Sequence, residues 1–213
     1  MRRDPLVNDS VYHIFTKSIS GYRIFRSQRD YNRMVEMIKF YRYEKPPFRF
    51  SAYINRINKD KFIAKYLADR DHLIEVIAYC LMPTHLHFIL KQLKDNGISV
   101  FMKNLLDSYT RYFNTKNNRK GPLWQGRFKS VLVDDDERLL HLTRYIHLNP
   151  TSDELVEKPE DWKYSSYREY LGQSNDGICN YSDYLSIEPG DYREFVESRM
   201  DYQKELNILK HLL

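Results

Sequence analysis

Only two cysteines stand in the 213 residues, Cys80 and Cys179. Two thiols so far apart make neither a disulfide framework nor a zinc pattern, and Cys80 sits in an apolar, strand-like run. Both are expected to be reduced, with Cys80 as plain core. Long hydrophobic runs are missing as well: nothing approaches the ~18 uninterrupted apolar residues of a membrane span. The opening Met1-Arg2-Arg3-Asp4-Pro5 lacks the apolar stretch of a secretory signal, so a cytoplasmic protein with no membrane association is expected. No internal repeat or low-complexity tract is visible, and the length suits one well-buried core with appendages, or at most two small domains. A charge excess is nearly absent too. Lys and Arg total 34 against 29 Asp and Glu, and the resulting +5 suits a polyanionic partner without demonstrating one.

Aromatic residues are plentiful, at 15% with 18 tyrosines. Several alternate with arginine, as in Tyr41-Arg42-Tyr43 and Tyr109-Thr110-Arg111-Tyr112. Rings that stack and cations that meet phosphate are how single-stranded nucleic acid is often held, although any one of these tyrosines could equally edge a core.

Periodicity gives the order of elements. Val11 to Ile19 reads as a strand. From Ser27 the spacing of Tyr31, Met34, Val35 and Ile38 is helical, with Ser27 or Asp30 as cap and Lys45-Pro46-Pro47 as the stop. Residues 48–70 are charged and weakly periodic, an insertion with some helix near Phe62 to Leu67. His72 to Leu81 and Leu86 to Leu90 form an antiparallel pair around Met82-Pro83-Thr84. Ser99 caps a helix to about Phe113, a basic loop follows to Pro122, and Phe128 to Val133 is a strand. Asp134-Asp135-Asp136-Glu137 opens a helix, where carboxylates are favourable, and Asn149-Pro150 ends it. A last helix is expected from Asp191 to about Leu209. The order β-α-(insertion)-β-β-α-β-α implies an α+β fold, an antiparallel sheet with helices packed on one face.

His85-Leu86-His87 opens a strand, so both imidazoles project to one side and could clamp a divalent ion. Seven histidines in this length would give roughly 0.2 such pairs by chance, and two half-exposed strand histidines remain the competing interpretation. A third ligand has to come from elsewhere. Of the tyrosines, only Tyr145 (to Asn149) and Tyr184 (to Glu188) have an oxygen or imidazole ligand four residues on, one helical turn away. Glu188 precedes Pro189-Gly190, which points to a loop, so Tyr145 and Asn149 are the better pair. An amide oxygen beside two histidines suits magnesium or manganese better than zinc.

The run Tyr79-Cys80-Leu81-Met82-Pro83-Thr84-His85-Leu86-His87 resembles the histidine motif of the single-tyrosine HUH transposases, most closely the REP-associated tyrosine transposases and their insertion-sequence relatives. Ser108 to Asn114, Gly121 to Ser130 and Arg144 to Pro150 match further blocks in the same order, and Asp161 to Tyr167 resembles the segment after that core. Thr84 departs from the Asn that relatives often carry, without touching a ligand. The likeness covers about residues 10–172. It implies a ferredoxin- or RRM-like HUH core over 1–150, with the insertion at about 45–70, and a C-terminal helical extension over 151–213.

What the resemblance implies is metal-dependent cleavage and strand transfer of single-stranded DNA through a 5′-phosphotyrosine. Tyr145 would be the nucleophile, His85, His87 and Asn149 the ligands of Mg2+ or Mn2+, and hairpin-containing single-stranded DNA the partner. Arg127 and Lys129, with the Arg119-Lys120 loop, are the expected phosphate contacts. Tyr109 and Tyr112 are expected to pack, Trp124 to favour the core over base stacking, and His141 to stay outside the ligand set. A homodimer in which Asn149 comes from the partner chain is compatible with the pattern. The alternatives are a domesticated, non-cutting DNA-binding or regulatory protein on the same fold, and a nuclease using activated water.

Overall fold

Alternation in the first strand sets the architecture, seen in a computed structural model that describes residues 5–204. In β1 (Val11–Lys17), Tyr12, Ile14 and Thr16 are buried on one face, while Val11, His13, Phe15 and Lys17 stand on the other. β2 (Ile74–Met82) and β3 (His85–Gln92) form the expected antiparallel pair around Pro83-Thr84. β4 (Lys129–Val133) completes a sheet of order β2-β3-β1-β4, antiparallel at every pairing.

One face carries α1 (Gln28–Tyr41) and α4 (Gly97–Lys116). Met34, Ile38, Phe101, Leu105 and Tyr109 pack there against Tyr12, Ile14, Phe88 and Leu90, and each large apolar side chain so buried stabilises by about 1.5–3 kcal/mol. Asp30 fixes the start of α1 by accepting the backbone N–H of Arg26 and of Ser27, each at 3.0 Å. Gly97 has no substitute at the head of α4, because a Cβ there would lie 2.1 Å from the Leu73 carbonyl oxygen. The insertion forms α2 (Phe50–Ile54) and α3 (Lys59–Tyr66), whose Phe50, Tyr53 and Phe62 join the same core beside Phe40.

The other face carries α5 (Asp136–Ser152), α6 (Tyr167–Tyr170) and α7 (Pro189–Glu197). Leu139, Ile146, Leu148, Tyr170, Tyr192 and Val196 close over Ile77, Cys80, Met82 and Ile89. His147 is fully buried there between Tyr192 Oη (2.6 Å) and Ser166 Oγ (2.8 Å), and burial lowers its pKa to about 3. The α+β class and the antiparallel sheet are as expected; the helical cover lies on both faces rather than one. The apolar residues on both sides of β2 require that second layer.

Three of the boundaries that differ from expectation are helix ends. Asn96, with φ +60°, precedes the first turn of α4, and Ser99 lies inside the helix. α5 continues through Pro150 to Ser152, because the Thr151 and Ser152 hydroxyls each donate to the Leu148 carbonyl at 2.9 Å and tie the last turn down. α7 opens at Pro189, where a missing N–H costs nothing, and the helix breaks at Ser198-Arg199 before resuming over 200–204. The expected stretch on to Leu209 lies outside the described residues. Among those described, no helix is long and apolar enough to cross a membrane.

Candidate active site

The register of β1 on β3 pairs Phe15 with His87 and Lys17 with His85, so the odd-numbered residues of both strands share one face. α5 packs over that same face through Leu139, Ile146 and Leu148. The result is a cavity of about 590 Å³ lined by His85, His87, Tyr145 and Asn149, all from one chain, together with His13, Phe15, Lys17, Gln125 and Asp153. The four residues expected to form the site therefore converge, although they come from two elements 64 positions apart at the extremes (149 − 85).

The His85 and His87 rings lie 5.0 Å apart between centroids, and the His87 and Tyr145 rings 5.8 Å apart, edge to face. His85 Nδ1 sits 3.0 Å from Thr84 Oγ1. His87 Nδ1 sits 3.0 Å from Nε2 of His13. Asn149 Nδ2 donates to the Tyr145 carbonyl at 2.7 Å. A carbonyl can only accept, so the amide nitrogen is committed to the helix and Oδ1 is directed elsewhere. The Asn149 amide also acts on its neighbours, favouring the charged form of His85 and of the Tyr145 phenol against their burial.

Burial dominates the electrostatics. It lowers His85 and His13 to about 4 and His87 well below its ordinary value, so all three imidazoles are neutral near pH 7 and keep a lone pair for bonding. Burial also raises Tyr145, against a lowering contribution from the Asn149 hydrogen bond, with Asp153 adding to the rise. The phenol is therefore protonated at neutral pH and needs help to become a nucleophile. Among the described residues no three His, Cys, Asp or Glu side chains converge as an ion site by themselves. Two neutral imidazoles with an amide oxygen do form a donor set suited to a hard divalent ion, and the Asp153 carboxylate lines the same cavity.

The other candidate residues fall elsewhere. Arg119 holds its own loop, donating to Asn114 Oδ1 (3.0 Å) and the Pro122 carbonyl (2.6 Å), while Lys120 and Arg127 are exposed. Lys129 opens β4 opposite Phe15, its ammonium 5.9 Å from that ring. Tyr109 donates to the Ile24 carbonyl and Tyr112 to Asp30, both at 2.7 Å, in the α1–α4 layer and away from the cavity. Trp124 is core, its indole N–H donating to the Leu106 carbonyl. His141 bonds Arg144 and leans on Phe195. Tyr184 donates to Glu75, and Glu188 stands just before α7.

Sequence reasoning missed His13, Lys17, Gln125 and Asp153. A signal existed for the first two: they occupy alternate positions of β1, on the face where the strand is least apolar.

Residues 49–149 match the family described as "Transposase IS200 like". Over 120 residues the chain is 32% identical to a protein of Haemophilus influenzae named as a REP-associated tyrosine transposase, an overlap of 51% of this chain and 68% of that relative. The chain belongs to this family of REP-associated, IS200-like tyrosine transposases. A solved structure of a REP-associated tyrosine transposase bound to a REP hairpin has the same fold, with TM-score 0.55 and 15% identity over 89% of this chain and 92% of that one.

Proposed function

We propose that this transposase cuts and rejoins single-stranded DNA by transesterification on Tyr145. The observation that carries the reading is the convergence of His85, His87, Tyr145 and Asn149 in one cavity. In the step itself a bond forms between Tyr145 Oη and the scissile phosphorus, and the bond from phosphorus to the 3′-oxygen breaks. The phenol gives up its proton to solvent and the leaving 3′-oxygen takes one up. The protein keeps a 5′-phosphotyrosine, and a second 3′-hydroxyl can reverse the step, so no nucleotide cofactor is consumed.

His85, His87 and Asn149 would hold Mg2+ or Mn2+, which when bound supplies charge neutralisation at the phosphate. The protein's own groups do the positioning. His87 Nδ1 meets His13 Nε2, and with the shared proton on His87 Nδ1 the Nε2 lone pair of His87 would be free for the ion, an arrangement that partners of metal-ligating histidines commonly favour. α5 fixes the phenol for in-line approach, and proximity of this kind is worth several kcal/mol of the barrier. Lys17, exposed at the cavity, and Lys129 near it suit the phosphates on either side of the scissile bond. The hairpin carried by the solved relative supports hairpin-bearing single-stranded DNA as the substrate.

Labelled single-stranded DNA carrying a hairpin, incubated with the protein and Mg2+ and run on a denaturing gel, tests the reading. A covalent adduct is expected from the wild type and none from Tyr145→Phe, which should still bind DNA. Adduct that survives in Tyr145→Phe and vanishes in Tyr109→Phe would reassign the nucleophile. Free 5′-phosphate without adduct would favour activated water.

A further inference from the structure

A larger cavity than the one at the histidines lies elsewhere on the molecule. Between α1 and α4, with residues 46–51 along one side, lies a cleft of about 850 Å³. Arg29 and Arg33 of α1, Arg49 beside α2, and Arg111 and Lys116 of α4 all line it, with Tyr41, Phe48 and Tyr112, and no Asp or Glu does. Lys116 is neutralised by Asp30 at 2.5 Å. Among the described residues none of the four arginines takes part in an ion pair. Arg33 is held by rings instead, its guanidinium 4.3 Å over Tyr112 and 5.1 Å over Phe50. Its Nε is buried with no hydrogen-bond partner.

Four guanidiniums gathered without counter-charge repel one another, and burial already disfavours the charged form of Arg33. Such an arrangement is compensated when an anion with several acceptors enters, and arginine's fork suits phosphate. The cleft's volume of about 850 Å³ is room for a short stretch of one strand. Phe48 exposes 41% of its surface at the wall, a ring face available for a base. Both tyrosine–arginine alternations of the sequence end here, through Tyr41 and through Arg111 with Tyr112. α1 and α4 cover the face of the sheet opposite to the one that bears His85 and His87, so a strand in the cleft is not the segment at Tyr145.

We propose that the cleft between α1 and α4 is a second DNA site, which holds the sugar–phosphate backbone of an unpaired segment flanking the one that is cut. The inference rests on the DNA-transesterase reading above, and it assigns the cleft an anchoring role with little base preference, since phosphate contacts carry no sequence information directly.

Fluorescence-anisotropy titrations of the full chain with a long unpaired oligonucleotide, at several salt concentrations, test it. Arg49 and Arg111 are exposed, so Arg49→Ala with Arg111→Ala should fold, which circular dichroism checks. The double variant should bind about tenfold or more weakly. The slope of log K against log salt should shrink by about 1.4, at ~0.7 per single-strand phosphate contact. Lys158→Gln with Lys163→Gln removes the same net charge from an exposed stretch elsewhere and should change the slope much less. Equal effects of the two double variants would overturn the proposal, as would tighter binding of fully paired duplex with the same loss in the arginine variant. The outcome is independent of the adduct gel: a wild type that forms no adduct overturns the transesterase reading, while the salt slopes still decide the cleft.

Discussion

The two faces of one sheet handle polar groups in opposite ways. On the histidine face the imidazoles are withdrawn from water, neutral, and each aimed by a hydrogen bond of about 3 Å. On the arginine face Arg29, Arg49 and Arg111 are exposed and, among the described residues, take part in no ion pair, while Lys116 alone is neutralised, by Asp30. Chemistry at one phosphorus atom needs the first arrangement, because lone pairs must point to within a few tenths of an ångström. Holding a long polyanion needs the second, because attraction between exposed charges acts over a Debye length of about 8–10 Å and tolerates imprecise geometry. The histidine face should therefore answer to metal concentration and the arginine face to salt.

Beyond the Tyr145 and arginine variants, the largest expected effect that would sharpen this contrast is at His13. His13→Leu removes the partner of His87 Nδ1 and should weaken Mn2+ binding about 10–100-fold, read by electron paramagnetic resonance titration without DNA. His13→Gln, whose amide oxygen can accept the same hydrogen, should restore part of it. Unaltered Mn2+ affinity in His13→Leu would reduce His13 to packing. Next is Gly97→Ala, which drives a methyl group into the Leu73 carbonyl and should cost about 1–3 kcal/mol in urea denaturation, as overpacking does. Because α4 forms one wall of the cleft and carries Arg111, DNA affinity should fall with it while Mn2+ affinity moves less.

The smallest effect lies on the histidine side of the sheet. Burial raises Glu169 from 4.5 to about 7, and its Oε1 has no hydrogen-bond partner. A carboxyl raised on folding contributes stability below its unfolded pKa, and that contribution is lost as pH climbs from about 4.5 through 7. Glu169→Gln should therefore stabilise the protein at pH 8 by about 1 kcal/mol, the scale of one hydrogen bond. The gain should vanish near pH 5, as followed by thermal melts at both values. A gain that persists at pH 5 would locate the cause outside ionisation.

Much of this was legible in the chain. Sequence patterns placed the four strands and the helices α1, α4, α5 and α7, though not α2 or α6, and the spacing of His85 with His87 and of Tyr145 with Asn149 picked out four residues that line one cavity. Other features depended on contacts that no local pattern encodes. His13 meets His87 through strand register, 74 residues away. Pro150 ends helices when read locally, yet here two neighbouring hydroxyls hold the turn. The arginines of the cleft come from three segments that read separately as ordinary charged helix and loop. Arg119, expected to meet phosphate, also donates to Asn114 and Pro122 of its own loop, a tie that no local pattern announces.

The division of the site between β3 and α5 has a mechanical consequence. Two histidines are rooted in a strand paired on both sides, which makes them a fixed jaw. Tyr145 and Asn149 ride one turn apart on a single helix, about 6 Å along its axis, and form the opposing jaw. The helix cannot bring its tyrosine forward without carrying the amide with it, so the vice closes on both members at once. In the proposed reaction the cut DNA end would be attached to the helical jaw, and any tilt of α5 over the sheet would carry that end towards or away from the histidines as a rigid load.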